Sequence, residues 1–303
     1  MLPSTSETIK KYGLNAKRSL GQNFILDSNL TDKIARQAGD LAGFQVLEIG
    51  GGPGGLTKSI LKLNPDQLTV IEQDDRCIAA LEEIKTFYPQ LEIIKGDALQ
   101  FDITSFCHPE RSEGSLVTRC EPRPNLSQEI LRYAQDDSPK LKIIANLPYN
   151  IATELLFKWM FSLQNVELMI LMFQKEVVER IVAKPNTKAF GRLAVMVNFF
   201  CETKKLFDIS PSSFTPSPKV TSSLIMIKPR AKPIMDVDFK ELEKVCAAAF
   251  SQRRKMIKAG LRSICEDSED WLKRCDINPS LRAEQLTLEQ FGKLTQSLKH
   301  STK

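Results

Sequence analysis

Histidine is nearly absent from this chain of 303 residues: there are two, His108 in a polar stretch and His300 close to the end. A chemistry that depends on a well-held histidine base is therefore not expected. The seven cysteines (Cys77, Cys107, Cys120, Cys201, Cys246, Cys265, Cys275) are odd in number and scattered, with no C-x-x-C pair. That pattern argues against a disulfide framework and against structural zinc, and it fits a reducing cytoplasm. Cys107, His108 and Cys120 have no fourth ligand in view, so no metal is expected. Long apolar runs are missing as well. "LMILMF" and "LAVMVNFF" fall well short of the roughly 20 residues of a membrane span, and "MLPSTSETIKKYG" lacks the apolar region of a signal peptide. The expectation is a soluble, cytoplasmic protein that uses no membrane.

A hydrophobic content of 42% is that of an ordinary globular protein, and the length allows one large or two moderate domains. The formal net charge of +5 is modest, but it is unevenly spread. "SQRRKMIKAGLR" (251 to 262) carries Arg253, Arg254, Lys255, Lys258 and Arg262 with no acid. On a helix these would cover more than one face, either as a solvated surface or as one that contacts phosphates. Lys10, Lys11, Lys17 and Arg18 form a second basic group, which favours a nucleic-acid partner.

Between about 42 and 230, short β-branched runs alternate with helical patterns, as in βαβ units around a parallel sheet. The candidate strands are 44 to 49, 67 to 72, 91 to 95, 141 to 145, 167 to 173, 193 to 200 and 221 to 228. Seven such strands predict one doubly wound α/β domain. A helix from Thr57 should stop at Asn64-Pro65, and Thr153 is a candidate cap for "ELLFKWMFSL". After "KPRAKPIMDVD" (228 to 238) the strand signal disappears, and the pattern from Phe239 onward predicts a small all-helical domain. The segment 107 to 137 is polar, proline-broken and aperiodic, and reads as an exposed loop insertion.

"VLEIGGGPGGL" (46 to 56) predicts a strand running into a glycine turn and a helix. It fits the G-x-G-x-x-G dinucleotide fingerprint through Gly50, Gly52 and Gly55, with Glu72 placed to hold a ribose. Such a turn serves NAD and S-adenosylmethionine alike. The extra glycines at 51 and 54 and the acidic Asp97 after the next strand favour the methyl donor. Asp97 could accept an adenine amine, or it could simply cap the next helix. "NLPYN" (146 to 150) falls at the C-terminal end of a strand, where open α/β sheets bind ligands. Asn146, the backbone of Leu147, the rigid Pro148 and the aromatic Tyr149 together suit an exocyclic amine on a flat base. Acceptors for both N–H groups would keep the lone pair on nitrogen for attack on a methyl. The same four residues could also be a purely structural turn.

Nine stretches in order resemble the motif series of the ribosomal RNA adenine N6,N6-dimethyltransferases. They are "SLGQNFILD", "EIGGGPGGLT", "IEQD", "GDAL", "NLPYNIAT", "MFQKEVVERI", "FGRLAVMV", "FTPSPKVTSS" and "LRAEQLTLEQF". The resemblance covers nearly the whole chain apart from 107 to 137. It implies a Rossmann-like class I methyltransferase domain over 1–230 and a smaller helical rRNA-binding domain over 236–303. S-adenosylmethionine would be the cofactor, held by Asn23, Ile25, Gly50, Gly52, Glu72, Asp97 and Asn146. Asn146 and the Leu147 carbonyl would accept from the target amine, and Tyr149 and Phe214 would stack on the flipped base. The likeness is strongest to members that dimethylate two adjacent adenosines near the 3′ end of small-subunit rRNA. The implied partner is the small-subunit precursor and its rRNA, met by a monomer. The alternative is the erythromycin-resistance type, which acts on large-subunit rRNA. An NAD dehydrogenase, a non-catalytic assembly factor and a DNA adenine methyltransferase are the other classes in contention. Two departures stand out: Ile25 replaces the usual Leu, harmless if its contact is through backbone, and Gly51 replaces a frequent Pro, which should loosen the turn.

Overall fold

The strand-like runs pair into one sheet in the computed structural model, which describes residues 2–16, 21–104 and 140–298. In chain order the first part holds α1 (Thr5–Tyr12), β1 (Phe24–Ile25), α2 (Ser28–Ala35), β2 (Gln45–Ile49), α3 (Gly55–Leu61), β3 (Gln67–Glu72), α4 (Asp75–Lys85) and β4 (Leu91–Lys95). After the insertion come β5 (Leu141–Asn146), α5 (Ala152–Met160), β6 (Val166–Gln174), α6 (Lys175–Ile181), α7 (Arg192–Phe200), β7 (Cys201–Ile209), β8 (Phe214–Thr215) and β9 (Ser222–Pro229). The last part is helical, with α8 (Phe239–Phe250), α9 (Ile257–Leu261), α10 (Ser268–Arg274) and α11 (Leu288–Leu298).

Seven strands form a sheet in the order β4-β3-β2-β5-β6-β9-β7, and β1 and β8 make a separate two-stranded antiparallel pair. β2 to β6 run parallel, and β9 is antiparallel to β6. The order reverses between β2 and β5, so this switch point opens a crevice at the C-terminal strand ends. Val46, Leu47, Leu68, Val70, Ile143 and Ile144 are fully shielded, as expected of a parallel sheet covered on both faces. The sheet and helices have the layout of a Rossmann-like methyltransferase.

The seventh strand differs from expectation. Residues 193 to 200 are the helix α7, and the strand of the sheet is β7, beginning at Cys201. Periodicity cannot separate a fully buried helix from a buried strand, and α7 is buried at Leu193 to Val197, Phe199 and Phe200. β7 was inconspicuous for the opposite reason: it is an edge strand carrying Lys204 and Lys205, a polar pattern that keeps sheet edges from pairing further. Thr153 is not the cap of α5 either. Ile151 takes the N-cap position and makes no side-chain cap bond.

The chain divides into two compact units. Among the described residues, 2–16, 21–104, 140–178 and 204–228 form the first, and 179–203 and 229–298 form the second. α7 thus groups with the C-terminal helices. The second unit has its own aromatic core, with Phe250 stacked on Phe291 at 5.6 Å between ring centroids and Phe200 beside Phe239 at 5.4 Å. The insertion at 107–137 lies outside the described residues, as do Cys107, His108, Cys120 and His300. β4 and β5 on either side of it keep their places in the sheet.

Candidate active site

The glycine turn after β2 is shaped by packing on one side and by a ligand-sized space on the other. Gly54, the N-cap of α3, has φ +78°, and a Cβ there would come within 2.2 Å of Ile84 Cδ1. A Cβ on Gly51 would sit 2.7 Å from Val70 Cγ1. Gly51 is therefore fitted closely against β3. Gly50 lies on the other side of the turn, where a Cβ would meet no protein atom within 4 Å.

That open side is a cleft with an open mouth. Asn23, Ile25, Gly50, Gly52, Glu72, Asp97, Asn146, Leu147, Pro148 and Tyr149 all line it. Phe214 does not. It is 3% exposed in the core cluster and pairs with Ile25 across β1 and β8.

Glu72 closes β3 and reaches back under the turn. Its Oε2 accepts from the Gly52 N–H at 2.9 Å, and its Oε1 accepts from the N–H groups of Gln73 and Asp74 at 2.8 Å each. The carboxylate thus holds the turn in place, a role its spacing alone did not announce. An ionised carboxylate has about four acceptor positions, which leaves capacity for a ribose hydroxyl. Asp97 Oδ1 accepts from Leu99 N–H at 2.9 Å, which closes a turn; no helix starts at Asp97, so it is not a helix cap. Its other oxygen remains for a ligand in the cleft.

Asn146 ends β5. Its Nδ2 donates to the Asn23 carbonyl at 3.1 Å, which fixes the amide and leaves Oδ1 as the free acceptor. Asn23 in turn donates from its own amide to the Gly21 carbonyl at 3.2 Å. Tyr149 follows on the rigid turn, with its hydroxyl hydrogen-bonded to that of Ser222. Burial raises the Tyr149 phenol above its ordinary value, so it is no base at neutral pH. Among the described residues no histidine and no metal-binding cluster accompanies this cleft.

One cleft residue had been given no role: Glu48, on β2, is 1% exposed and accepts from the Thr57 hydroxyl at 2.7 Å. Desolvation, only partly opposed by that bond and reinforced by the Glu72 charge, pushes its carboxyl up to about 8. The signal was available, since an acid inside the apolar strand "VLEI" is unusual in a covered sheet. A consequence can be measured. The native state keeps a proton on Glu48 that the unfolded chain releases near 4.5, so stability falls as pH rises from there to about 8. Glu48→Gln, neutral throughout, is expected to flatten that fall. Its gain over the parent should grow between pH 5 and pH 8 by an amount on the order of a few kcal/mol. Chemical denaturation at several pH values reads this directly, and parallel profiles for the two proteins would contradict a neutral Glu48.

A methyl-donating nucleoside fits these residues. Open space borders Gly50 and Gly96, carboxylates stand at the ends of neighbouring strands, and no packed side chain fills the gap between them. The basic stretch differs from its expected form. Residues 251 to 256 are an exposed turn, and the helix α9 starts only at Ile257. Arg253 donates to the carbonyls of Lys188 and Phe190, and Lys258 pairs with Glu269 at 2.9 Å. Arg254, Lys255 and Arg262 have no ion-pair partner among the described residues.

Known proteins resemble the chain along nearly its whole length. The sequence profile described as "Ribosomal RNA adenine dimethylase" matches residues 13–300. A ribosomal RNA small subunit methyltransferase A of Mesorhizobium japonicum is 42% identical over 301 residues, covering 98% of each chain. The protein of the same name from Bradyrhizobium diazoefficiens is 44% identical, covering 98% of this chain and 95% of its own. Among solved structures, a dimethyladenosine transferase from Plasmodium falciparum superposes with a TM-score of 0.70 at 24% identity, covering 91% of this chain and 97% of its own. The likeness to that structure is one of fold.

Proposed function

We propose, from the premise that the chain belongs to the ribosomal RNA adenine dimethylase family, that it dimethylates N6 of two adjacent adenosines near the 3′ end of small-subunit rRNA. The protein is an rRNA adenine dimethyltransferase, and the reading places it in small-subunit maturation. The observation that carries the chemistry is the Asn146 amide, pinned through its N–H to Asn23 with its oxygen left free in the cleft. We take S-adenosylmethionine as the cofactor, held by Asn23, Ile25, Gly50, Gly52, Glu72 and Asp97. When bound, it supplies an electrophilic methyl on a positively charged sulfur.

The chain's own residues prepare the acceptor. The N6 amine of adenine is a poor nucleophile because its lone pair is delocalised into the ring. Asn146 Oδ1 and the Leu147 carbonyl accept its N–H groups and favour the geometry in which the pair resides on nitrogen, an electrostatic assistance fixed in advance of reaction. The rigid Pro148 sets the spacing of these acceptors. Tyr149 stacks on the adenine once it has left its own stack, and Phe214 supports Ile25 from behind. No strong base is needed, because the alkylated nitrogen is acidic and loses its proton to water. The first unit is read as the catalytic domain and the second as the rRNA-binding one, with Arg254, Lys255 and Arg262 facing phosphates. The protein is read as a cytoplasmic monomer.

The test is to incubate the protein with undermethylated small subunits and methyl donor, and then to analyse the nucleosides. N6,N6-dimethyladenosine is the expected product. Monomethyladenosine alone, or methyl on another nucleoside, would overturn the assignment.

A further inference from the structure

We propose that Ser222 is a positioning residue for methyl transfer, its hydroxyl holding the Tyr149 ring in the orientation that receives the target base. This rests on the reading of Tyr149 as the stacking residue. Ser222 is fully buried at the start of β9, where it pairs with Gln174 of β6. Tyr149 belongs to the loop after β5 and lines the cleft. The hydroxyl-to-hydroxyl bond between them is the one side-chain hydrogen bond of Tyr149 among the described residues, and it ties a loop aromatic to a strand of the sheet.

An untethered tyrosine side chain can occupy more than one staggered well about its Cα–Cβ bond, and a bond to its hydroxyl, at the far end of the ring, holds it in one of them. A base that stacked on it would have to fix that torsion as part of binding, at an entropic cost. The Ser222 bond fixes it beforehand. The tether also engages the phenol hydroxyl, and Tyr149 acts through its ring. Its raised phenol agrees, because the hydroxyl stays protonated across the neutral range. The adjacent serine supplies a control. Side chains alternate along a strand, and Ser223 donates to Asp208 at 2.6 Å, a carboxylate that also pairs with Lys175 and Lys205.

The experiment compares Ser222→Ala, Tyr149→Phe, the double variant, Ser223→Ala and Tyr149→Ala in the full-length protein. It measures kcat/KM on undermethylated small subunits and donor affinity by calorimetry. Ser222→Ala and Tyr149→Phe should each lose about three- to tenfold in kcat/KM, the worth of one net hydrogen bond. The double variant should lose no more than either, Ser223→Ala should match the parent, and donor affinity should stay unchanged in all four. Tyr149→Ala should lose at least about tenfold more than Tyr149→Phe, since stacking itself goes. Parental kcat/KM in Ser222→Ala, additive losses in the double variant, or a matching drop in donor affinity would each overturn the positioning role. If Tyr149→Ala alone is impaired, the stacking reading survives; if it too behaves as the parent, that reading fails.

Discussion

Asn146→Ala is expected to slow methyl transfer by about 10²–10³-fold or more, while the variant still binds the methyl donor, more weakly than the parent. The amide has two jobs, and each belongs to one end of it. Nδ2 holds the Asn23 carbonyl and so ties the N-terminal segment to the cleft wall. Oδ1 is the acceptor proposed for the target amine. Alanine removes both, so donor affinity should fall modestly through the first job and transfer should fall steeply through the second. Asn146→Asp should be nearly as slow, because a carboxylate has no N–H to give to Asn23 and sets oxygen against oxygen there. Single-turnover transfer alongside calorimetry separates the two effects. A variant within about threefold of the parent rate would show that the lone pair is prepared by other groups.

Glu72→Ala is expected to damage fold and cofactor site together. Three backbone N–H groups, of Gly52, Gln73 and Asp74, would lose their acceptor at once. Each unsatisfied buried donor costs about 1–3 kcal/mol, so a stability loss of several kcal/mol is expected, reduced wherever water from the cleft reaches the Gly52 amide. Donor affinity should fall by at least about 100-fold, because the turn that floors the cleft is no longer held and the proposed ribose partner is gone. Glu72→Gln should fall between the two, since the amide keeps one acceptor oxygen and turns a donor toward the remaining N–H groups. Thermal unfolding with and without donor measures both losses. If Glu72→Ala unfolds at the parental temperature, the carboxylate does not hold the turn.

Much of this site could be read from the sequence because its residues sit at the ends of strands with strong local signals. Glu72, Asp97 and Asn146 each follow a β-branched run, and the glycine run marks the strand-to-helix turn. The literal dinucleotide fingerprint picked out Gly50, Gly52 and Gly55, yet the structure depends equally on Gly54, whose positive φ and contact with Ile84 no spacing rule contains. Glu48 carries a sequence signal as an acid inside an apolar strand, but its raised carboxyl comes from burial, which periodicity does not report. Ser222 escaped notice for a related reason: its partner Tyr149 is 73 positions away, and only the pairing of β6 with β9 brings the two together. Phe214 shows the converse. Its motif suggested a stacking role, but packing places its ring in the core behind Ile25. α7 and β7 were misread because burial and edge position outweighed local pattern, a tertiary effect that a single sequence does not carry.

This cleft is proposed to methylate adenosine in small-subunit rRNA. Undermethylated small and large ribosomal subunits, offered separately with donor labelled in its methyl group, test it most directly. Label is expected in the rRNA of the small subunit, close to its 3′ end, and none in the large subunit. Label confined to the large subunit would contradict it.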